Sequence, residues 1–250
     1  MIMNRTVKSA DRVLDVFEAF GELGRPFSLS ELAERIGAPI SSCHGLVSTL
    51  QRRGYLYSAD QRRLIYPTRR LLDVGRAIAE HDPILEWLRP QMVAMRDATG
   101  ETVILGKRQY DAVLYLEVVE GTHTVRYTAK AGEHKPLHSS AIGKALLGTL
   151  SDRELNRILA SMTLAAHTPN TITNRKRLVT DLREARRRGY SVTHGENVAD
   201  VSAVACTLAI NDVLLGLALA APMHRMEAHL KDYVRVLAEA RDSLQVRGAT

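Results

Sequence analysis

At 250 residues, with 45 % hydrophobic and 25 % charged side chains, the chain has the balance of an ordinary folded protein and enough apolar surface for a core, which excludes wholesale disorder. Domains usually run to roughly 100–150 residues, so two domains suit this length better than one. Lys and Arg number 34 against 28 Asp and Glu, a net charge of +6 that permits a polyanionic partner without requiring one.

From Ser9 to Phe20, Val13, Leu14, Val16, Phe17 and Phe20 recur at three- and four-residue steps, the stripe of an amphipathic helix that Gly21 and Gly24 close. Beyond Arg25-Pro26, Ser28 stands three residues before Glu31, a capping-box spacing that starts a short second helix through Leu29, Leu32, Ala33 and Ile36. The turn Gly37-Ala38-Pro39 leads into ISSCHGLVSTLQRRG, where Ile40, Cys43, Leu46, Val47 and Leu50 repeat at helical spacing until Gly54. Then the period changes. Tyr55 and Tyr57 alternate, SADQRR makes a polar turn, and Leu64, Ile65 and Tyr66 form a second strand that Pro67 ends, a two-stranded hairpin. RRLLDVGRAIAEHDP returns to helical spacing with Leu71, Leu72, Val74 and Ile78, and His81-Asp82-Pro83 breaks it at the expected domain boundary.

A second domain opens on a helix through Leu85, Leu88, Met92 and Met95, followed by three expected strands, TVILGK, AVLYLEVVEG and VRYTAKAG, the last two joined in a hairpin at Gly121-Thr122-His123. Short helices are expected at Ser140–Leu150, Asp152–Leu159 and Arg175–Arg188. Strand patterns return in YSVTH, VSAVACTLAI and LLGLALAAP, the last two separated by Asn211-Asp212, before a final helix from Met223 to Val246. The class is α+β, with a mainly antiparallel sheet flanked by helices.

Helix, helix, turn, helix and β-hairpin is the order of a winged helix-turn-helix, in which the helix after the turn enters the major groove of duplex DNA. On that helix Ser41, Ser42, His44, Ser48 and Gln51 offer hydroxyls, an imidazole and an amide to base edges or phosphates. Arg52, Arg53, Arg62 and Arg63 supply phosphate-directed charge at its end and on the wing. Residues 1–67 nevertheless hold only nine basic against seven acidic side chains, so binding depends on where the cations point and on doubling them in a dimer.

These segments resemble the IclR family of bacterial transcriptional regulators almost end to end. SADRVLDVFEAF, SLSELAERIGAPISSCHGLVSTLQRRGYL and the hairpin closing on YPTRRLLDVG look like that family's DNA-binding domain and linker helix; KPLHSSAIGKALLGTL, TPNTIT and REARRRGYSVTHGENVADVSAVACTLAI look like its effector-binding domain. The resemblance implies a winged helix-turn-helix domain over residues 1–68, a linker helix over 69–82 that helps pair subunits, and a GAF-like mixed α/β effector-binding domain over 83–250. It further implies a homodimer or homotetramer that binds double-stranded operator DNA near a catabolic gene cluster and answers to a small organic acid or related metabolite. Two positions depart from the family pattern: Gly45 stands where the recognition helix usually carries arginine, at a cost of about 1 kcal/mol of helix propensity, and Ala203 stands where a cysteine is common, with Cys206 displaced and Thr207 in place of a proline.

His138, Ser139 and Ser140 precede a helix, so the amides of Ala141 and Ile142 with two hydroxyls make an anion-binding helix start suited to a carboxylate. The plainer alternative is that a serine there only caps the helix. Further walls of a mostly apolar pocket are expected from Gly106, Tyr127 and the stretch from Glu196 through Ala203 to Cys206. Cys206 is as well explained as a small buried apolar residue.

An enzyme needs a nucleophile or metal, and no His-Glu-x-x-His, Gly-x-Ser-x-Gly or phosphate loop occurs. His134 and His138 lie four apart, but Gly132 and Pro136 argue against the helix that would turn them to one metal. No cofactor is expected. A DNA-binding architectural protein without a ligand leaves the larger second domain unexplained. Cys43 and Cys206 lie far apart without a Cys-x-x-Cys pair, no apolar run approaches ~20 residues, and the start lacks a signal peptide's apolar core, so a cytoplasmic protein without a membrane span is expected.

Overall fold

The computed structural model describes residues 7–59, 63–82 and 85–247. The chain divides into two compact units, Met1–Asp82 and Pro83–Thr250. In the first, α1 (Lys8–Leu23) buries Val16, Ala19 and Phe20 and stops at Gly24, whose left-handed backbone turns its N–H onto the Phe20 carbonyl. Helix α2 (Leu29–Arg35) starts in a complete capping box: Ser28 Oγ accepts from the Glu31 amide, and the Glu31 carboxylate accepts from the Ser28 amide. Gly37, at φ 58°, makes the turn into α3 (Ile40–Arg52). Strands β1 (Leu56–Ser58) and β2 (Ile65–Pro67) pair antiparallel, and Phe27 adds a bridge to Ile65. The core gathers Val16, Phe20, Phe27, Leu32, Cys43, Val47, Leu50, Leu56 and Ile65. Ile40, expected on the apolar stripe of α3, is instead 56 % exposed, because it is the first helical residue and precedes the turn that packs on the core. Helix α4 (Arg70–Glu80) buries no residue at all.

The second unit runs α5 (Leu85–Thr99), β3 (Thr102–Gln109), β4 (Ala112–Val119), β5 (His134–Pro136), α6 (Ala141–Gly148), α7 (Asp152–Ser161), α8 (Arg175–Arg188), β6 (Ser191–His194), β7 (Val201–Ile210), β8 (Val213–Pro222) and α9 (Met223–Arg247). Its sheet has the order β5-β4-β3-β8-β7-β6, with every neighbouring pair antiparallel. Alternation along the strands sends Val204, Cys206, Leu208, Leu217 and Leu219 to one face, where they meet α5 and α9. Ile104, Ala205, Ala218 and Ala220 face the other way, toward the layer of α6, α7 and α8. No helix among the described residues is long and apolar enough to cross a membrane.

The expected strand VRYTAKAG does not form, and neither does its hairpin at Gly121. The hairpin partner of β4 is β3, through a turn at Tyr110-Asp111, and the short β5 occupies β4's other side. β8 takes the second edge of β3, and β5 takes only Ala112–Leu114 on the outer edge of β4; residues 125–130 form no ladder with the rest of that edge. Side chains hold the segment instead. Thr102 Oγ1 donates to the Tyr127 carbonyl, and Arg225, clamped bidentately on the fully buried Glu101 carboxylate, donates to the Val125 carbonyl at 2.7 Å.

Small residues fix how closely α6 approaches the sheet. A Cβ on Gly216 would lie 2.4 Å from Ile142 Cγ2, one on Gly106 would lie 3.3 Å from Ile142 Cδ1, and one on Gly143 would lie 2.3 Å from the Leu137 carbonyl. Ile142 therefore sits directly against the sheet, and the helix start is held above the alanine-lined part of the same face.

Candidate functional site

On α3 the core takes Cys43, Val47 and Leu50, which leaves Ser41, His44, Gly45, Ser48 and Arg52 on the opposite side at helical spacing. Ser41, His44, Arg52 and Arg53 are exposed, while Ser42, Ser48 and Gln51 are half-buried. Gln51 Nε2 donates to Ser58 Oγ of β1 at 3.3 Å, which ties the end of α3 to the wing. Pro39 precedes α3 and supplies no side-chain cap, so the first amides of the helix stay available to an anion. A Cβ on Gly45 would meet open space, so this glycine exposes helix backbone where a longer side chain would fit. Arg53 stands over the Tyr55 ring, and Arg63 takes a left-handed conformation, φ 57°, at the base of the wing. Arg62 lies outside the described residues.

In the second unit a cavity of about 420 Å³, its open mouth included, lies between α6 and the sheet. Six of the ten residues expected there line it: Tyr127, Ser139, Ser140, Ala141, Ile142 and, on the sheet wall, Ala203. Asn197, Val198 and Val201 line it from within the expected stretch, and the remaining walls come from Ile104, Tyr115, Thr193, Ala218 and Ala220, which the sequence reading passed over. Their signal was present: LALAAP and VSAVAC place small residues at every second position, the mark of a sheet face with room above it. None of the lining side chains carries a charge. Burial first, and then the neighbouring Tyr127, pushes the Tyr115 hydroxyl well above the usual phenol range, so it remains a neutral donor.

Ser139 and Ser140 divide the two expected roles. Ser140 Oγ accepts from the Gly143 amide and donates to the Pro136 carbonyl at 2.6 Å, so it is the cap of α6. Ser139 is fully buried, lines the cavity, and its Oγ has no hydrogen-bond partner. With the amide of Gly143 taken by the cap, those of Ala141 and Ile142 are the helix-start donors that geometry leaves over.

Four expected pocket residues lie elsewhere. Gly106 is covered by Val113 and Ile142 and serves the seating of α6. His138 is buried beside the cavity, its Nε2 2.9 Å from the Ala165 carbonyl, and burial lowers its pKa, so it anchors the loop before α8. Cys206 points to the opposite face of the sheet, among the side chains of α5 and α9, where burial pushes its thiol up to about 12. Glu196 is engaged below the cavity rather than in its lining. Lys144 of α6, fully buried, reaches Glu196 Oε1 at 2.6 Å and Asp181 Oδ2 at 3.0 Å. The TPNTIT segment secures the same turn: Thr168 Oγ1 donates to the Gly195 carbonyl and Thr171 Oγ1 to that of Glu196, both at 2.6 Å. Beyond that turn, Asn197 and Val198 line the cavity.

Two family descriptions match the chain: the IclR helix-turn-helix domain over residues 9–60 and the bacterial transcriptional regulator IclR C-terminal domain over residues 76–245. Among curated relatives, the HTH-type transcriptional regulator BhcR of Paracoccus denitrificans is 30 % identical over 222 residues, 88 % of this chain and 79 % of its own. The Thermotoga maritima IclR crystal structure matches with a TM-score of 0.82 at 23 % identity, covering 97 % of this chain and 99 % of its own. An IclR homolog from Microbacterium hydrocarbonoxydans, crystallised with 4-hydroxybenzoate, matches at 0.76 and 22 % identity over 95 % of this chain and 98 % of its own.

One buried cation faces two carboxylates, and the carboxyl proton of Glu196 is held to higher pH than in an ordinary carboxyl, chiefly by burial and further by Asp181, against the pull of Lys144. An unfolded chain gives up that proton at lower pH than the folded one, so Glu196 contributes less stability as pH climbs through the ordinary carboxylate range. Glu196→Gln should therefore gain in urea midpoint relative to wild type as pH rises from about 4 through the carboxylate range. A midpoint difference that stays constant with pH would show that Glu196 ionises like an exposed carboxylate.

Proposed function

Since this chain belongs to the IclR family of bacterial transcriptional regulators, we propose that it is a cytoplasmic, ligand-responsive switch on a catabolic operon, its effector a small organic carboxylate. Family membership establishes a regulator with a DNA-binding and an effector-binding domain. The observation that carries the rest is Ser139: a buried hydroxyl without a partner, at an incompletely capped helix start, in the wall of a cavity that opens to solvent. A carboxylate there accepts from Ser139 Oγ and from the Ala141 and Ile142 amides, with the positive end of the α6 dipole supplying the charge that no lining side chain provides. The alanine and isoleucine walls suit a flat apolar body. The Microbacterium homolog's 4-hydroxybenzoate is an acid of this kind.

Residues 1–68 form the DNA-reading domain of this proposal, 69–82 the linker helix and 83–250 the effector domain. Ser41, Ser42, His44, Ser48 and Gln51 read base edges, while Arg52, Arg53, Arg62 and Arg63 hold phosphate. Helix α4 exposes Leu71, Leu72, Val74 and Ile78, an apolar stripe that a second copy of the chain covers, giving a homodimer with two recognition helices. Effector binding then selects one arrangement of the paired DNA-reading domains, by as much as its affinity differs between the two states.

In a thermal-shift series of small acids that includes 4-hydroxybenzoate, Ser139→Ala should bind the stabilising acid about tenfold more weakly, the worth of one hydrogen bond to a charged group. An unaltered response to every stabilising acid rejects the helix-start site. Ser42→Ala should change the ranking of operator variants, whereas Arg53→Ala should weaken all of them alike and lower the salt slope by about 1 per bound subunit; equal ranking for Ser42→Ala removes α3 as the reader. Ile78→Glu should sediment as a smaller species and lose affinity for two-half-site DNA, and an unchanged sedimentation coefficient would move the interface away from α4.

A further inference from the structure

Seven basic side chains and two acidic ones occupy the 14 residues of α8, an excess of +5 on one helix against +2 for the whole of residues 1–67. Three of the seven, Arg175, Lys176 and Arg177, fill the first turn, with no acid there, where cations oppose the helix dipole. Helix stability does not account for that placement, since acids would be favoured at this end. Nor is the charge spent on neighbours. One acid, Asp181, is drawn to buried Lys144, and the nearby Asp152 takes Arg183 at 2.8 Å and Arg186 at 3.7 Å. Lys176, Arg177 and Arg187 are exposed and have no carboxylate within ion-pair distance among the described residues.

The core side of α8 holds Leu178, Leu182 and Ala185, so Lys176, Thr180, Arg183 and Arg187 recur along its outer side at helical steps. Between α7 and α8 lies a shallow groove lined in part by Asn156, Arg175, Lys176, Thr180 and Arg183. Guanidinium, ammonium, hydroxyl and amide are the groups that contact phosphate oxygens, and no exposed aromatic or large apolar side chain stands on α7 or α8 to anchor a protein partner. We infer that the outer face of α8, with the α7–α8 groove, binds the phosphate backbone of duplex DNA flanking the operator. The inference rests on the reading that α3 engages that operator. Recognition by α3 holds flanking duplex at high local concentration, so contacts too weak to capture free DNA suffice. At 1.5 Å per residue α8 is about 20 Å long, which against one charge per ~1.7 Å of duplex axis faces roughly a dozen phosphates.

The test uses the full-length chain and two duplexes centred on the segment of its own upstream region that the wild type protects from nuclease, one trimmed to that segment and one extended on both sides by arbitrary sequence. Affinity is followed against salt concentration for wild type, for the triple variant Lys176→Gln, Arg177→Gln, Arg187→Gln, and for the charge-keeping Arg177→Lys, Arg187→Lys. Wild type should show a steeper log–log slope on the extended duplex than on the trimmed one. Each phosphate contact contributes about 0.9 to that slope, so the triple variant should lose about two to three units per bound subunit on the extended duplex and none on the trimmed one. The charge-keeping variant should match wild type. Equal slopes for wild type and the triple variant on the extended duplex overturn this inference while leaving α3 as the reader, and weakened binding to polyglutamate in that case assigns the face to an acidic protein. Failure of wild type to hold even the trimmed duplex overturns the α3 reading and this one with it.

Discussion

Everything in the second unit that could hold a ligand depends on one close contact, the seating of Ile142 on Gly106 and Gly216. A side chain at Gly216 would lift α6 from the sheet, and with it Ser139, Ser140 and the helix-start amides, while one at Gly106 would first meet Val113 of β4. Those groups reach the cavity only because the helix axis is brought down to the backbone of β3 and β8 at one end. At the other end Ala203, Ala218 and Ala220 keep the sheet face low without a partner helix directly above, which is where the cavity lies. Glycine under the helix and alanine beside it are two settings of the same variable, the height of the sheet surface, and together they convert a packed layer into one with a gap.

Charge around this gap is arranged by exclusion. The one cation on α6, Lys144, is withdrawn beneath it and neutralised by Glu196 and Asp181, so the helix presents its dipole and hydroxyls to the cavity without a formal charge. A buried ionic cluster of this kind adds little net stability over a well-packed apolar one, because desolvation consumes most of the attraction. Its geometric effect is definite, however. Glu196 belongs to the turn that also carries Asn197 and Val198, and Thr168 and Thr171 clamp the carbonyls of that turn from the other side. Lys144 thus joins the floor of the cavity to one of its walls, and a ligand that displaces Asn197 or Val198 acts on a turn held by an ion cluster with an unmatched carboxylate oxygen.

Elements with strong local signals were legible in the sequence. The Ser28 capping box, the Gly37 turn, the period change at Tyr55 and the Asn211-Asp212 hairpin appear in the structure as the residues suggest, because each is decided by contacts within a few positions. The segment 125–132 was not legible. Its β-rich composition is genuine, but the carbonyls of Val125 and Tyr127 are taken by the side chains of Arg225 and Thr102, and Arg225 lies a hundred residues away. Cys206 failed for a related reason. Strand alternation makes Ala203 and Cys206 face opposite sides of β7, since they are an odd number of residues apart, so they could not both line one cavity. Glu196 failed differently: a polar residue near a pocket reads as a ligand contact until its buried partner is known, and Lys144 lies 52 residues away.

The first unit shows how little local charge a DNA-reading domain can carry. With +2 over residues 1–67 and glycine where arginine is usual on α3, its electrostatic attraction is weak for a function in which phosphate contacts dominate affinity. Gly45 removes a cation yet leaves the helix backbone open to close approach, which favours fit over attraction. Under the proposed function, so little charge gives little non-specific hold on DNA. Two routes raise the hold without touching the reading face: pairing two copies, which doubles every phosphate contact, and placing cations outside the reading domain. The chain has material for both, an uncovered apolar stripe on α4 and the uncompensated first turn of α8. Separating hold from reading in this way lets the base-contacting residues change with the operator while the phosphate contacts stay constant.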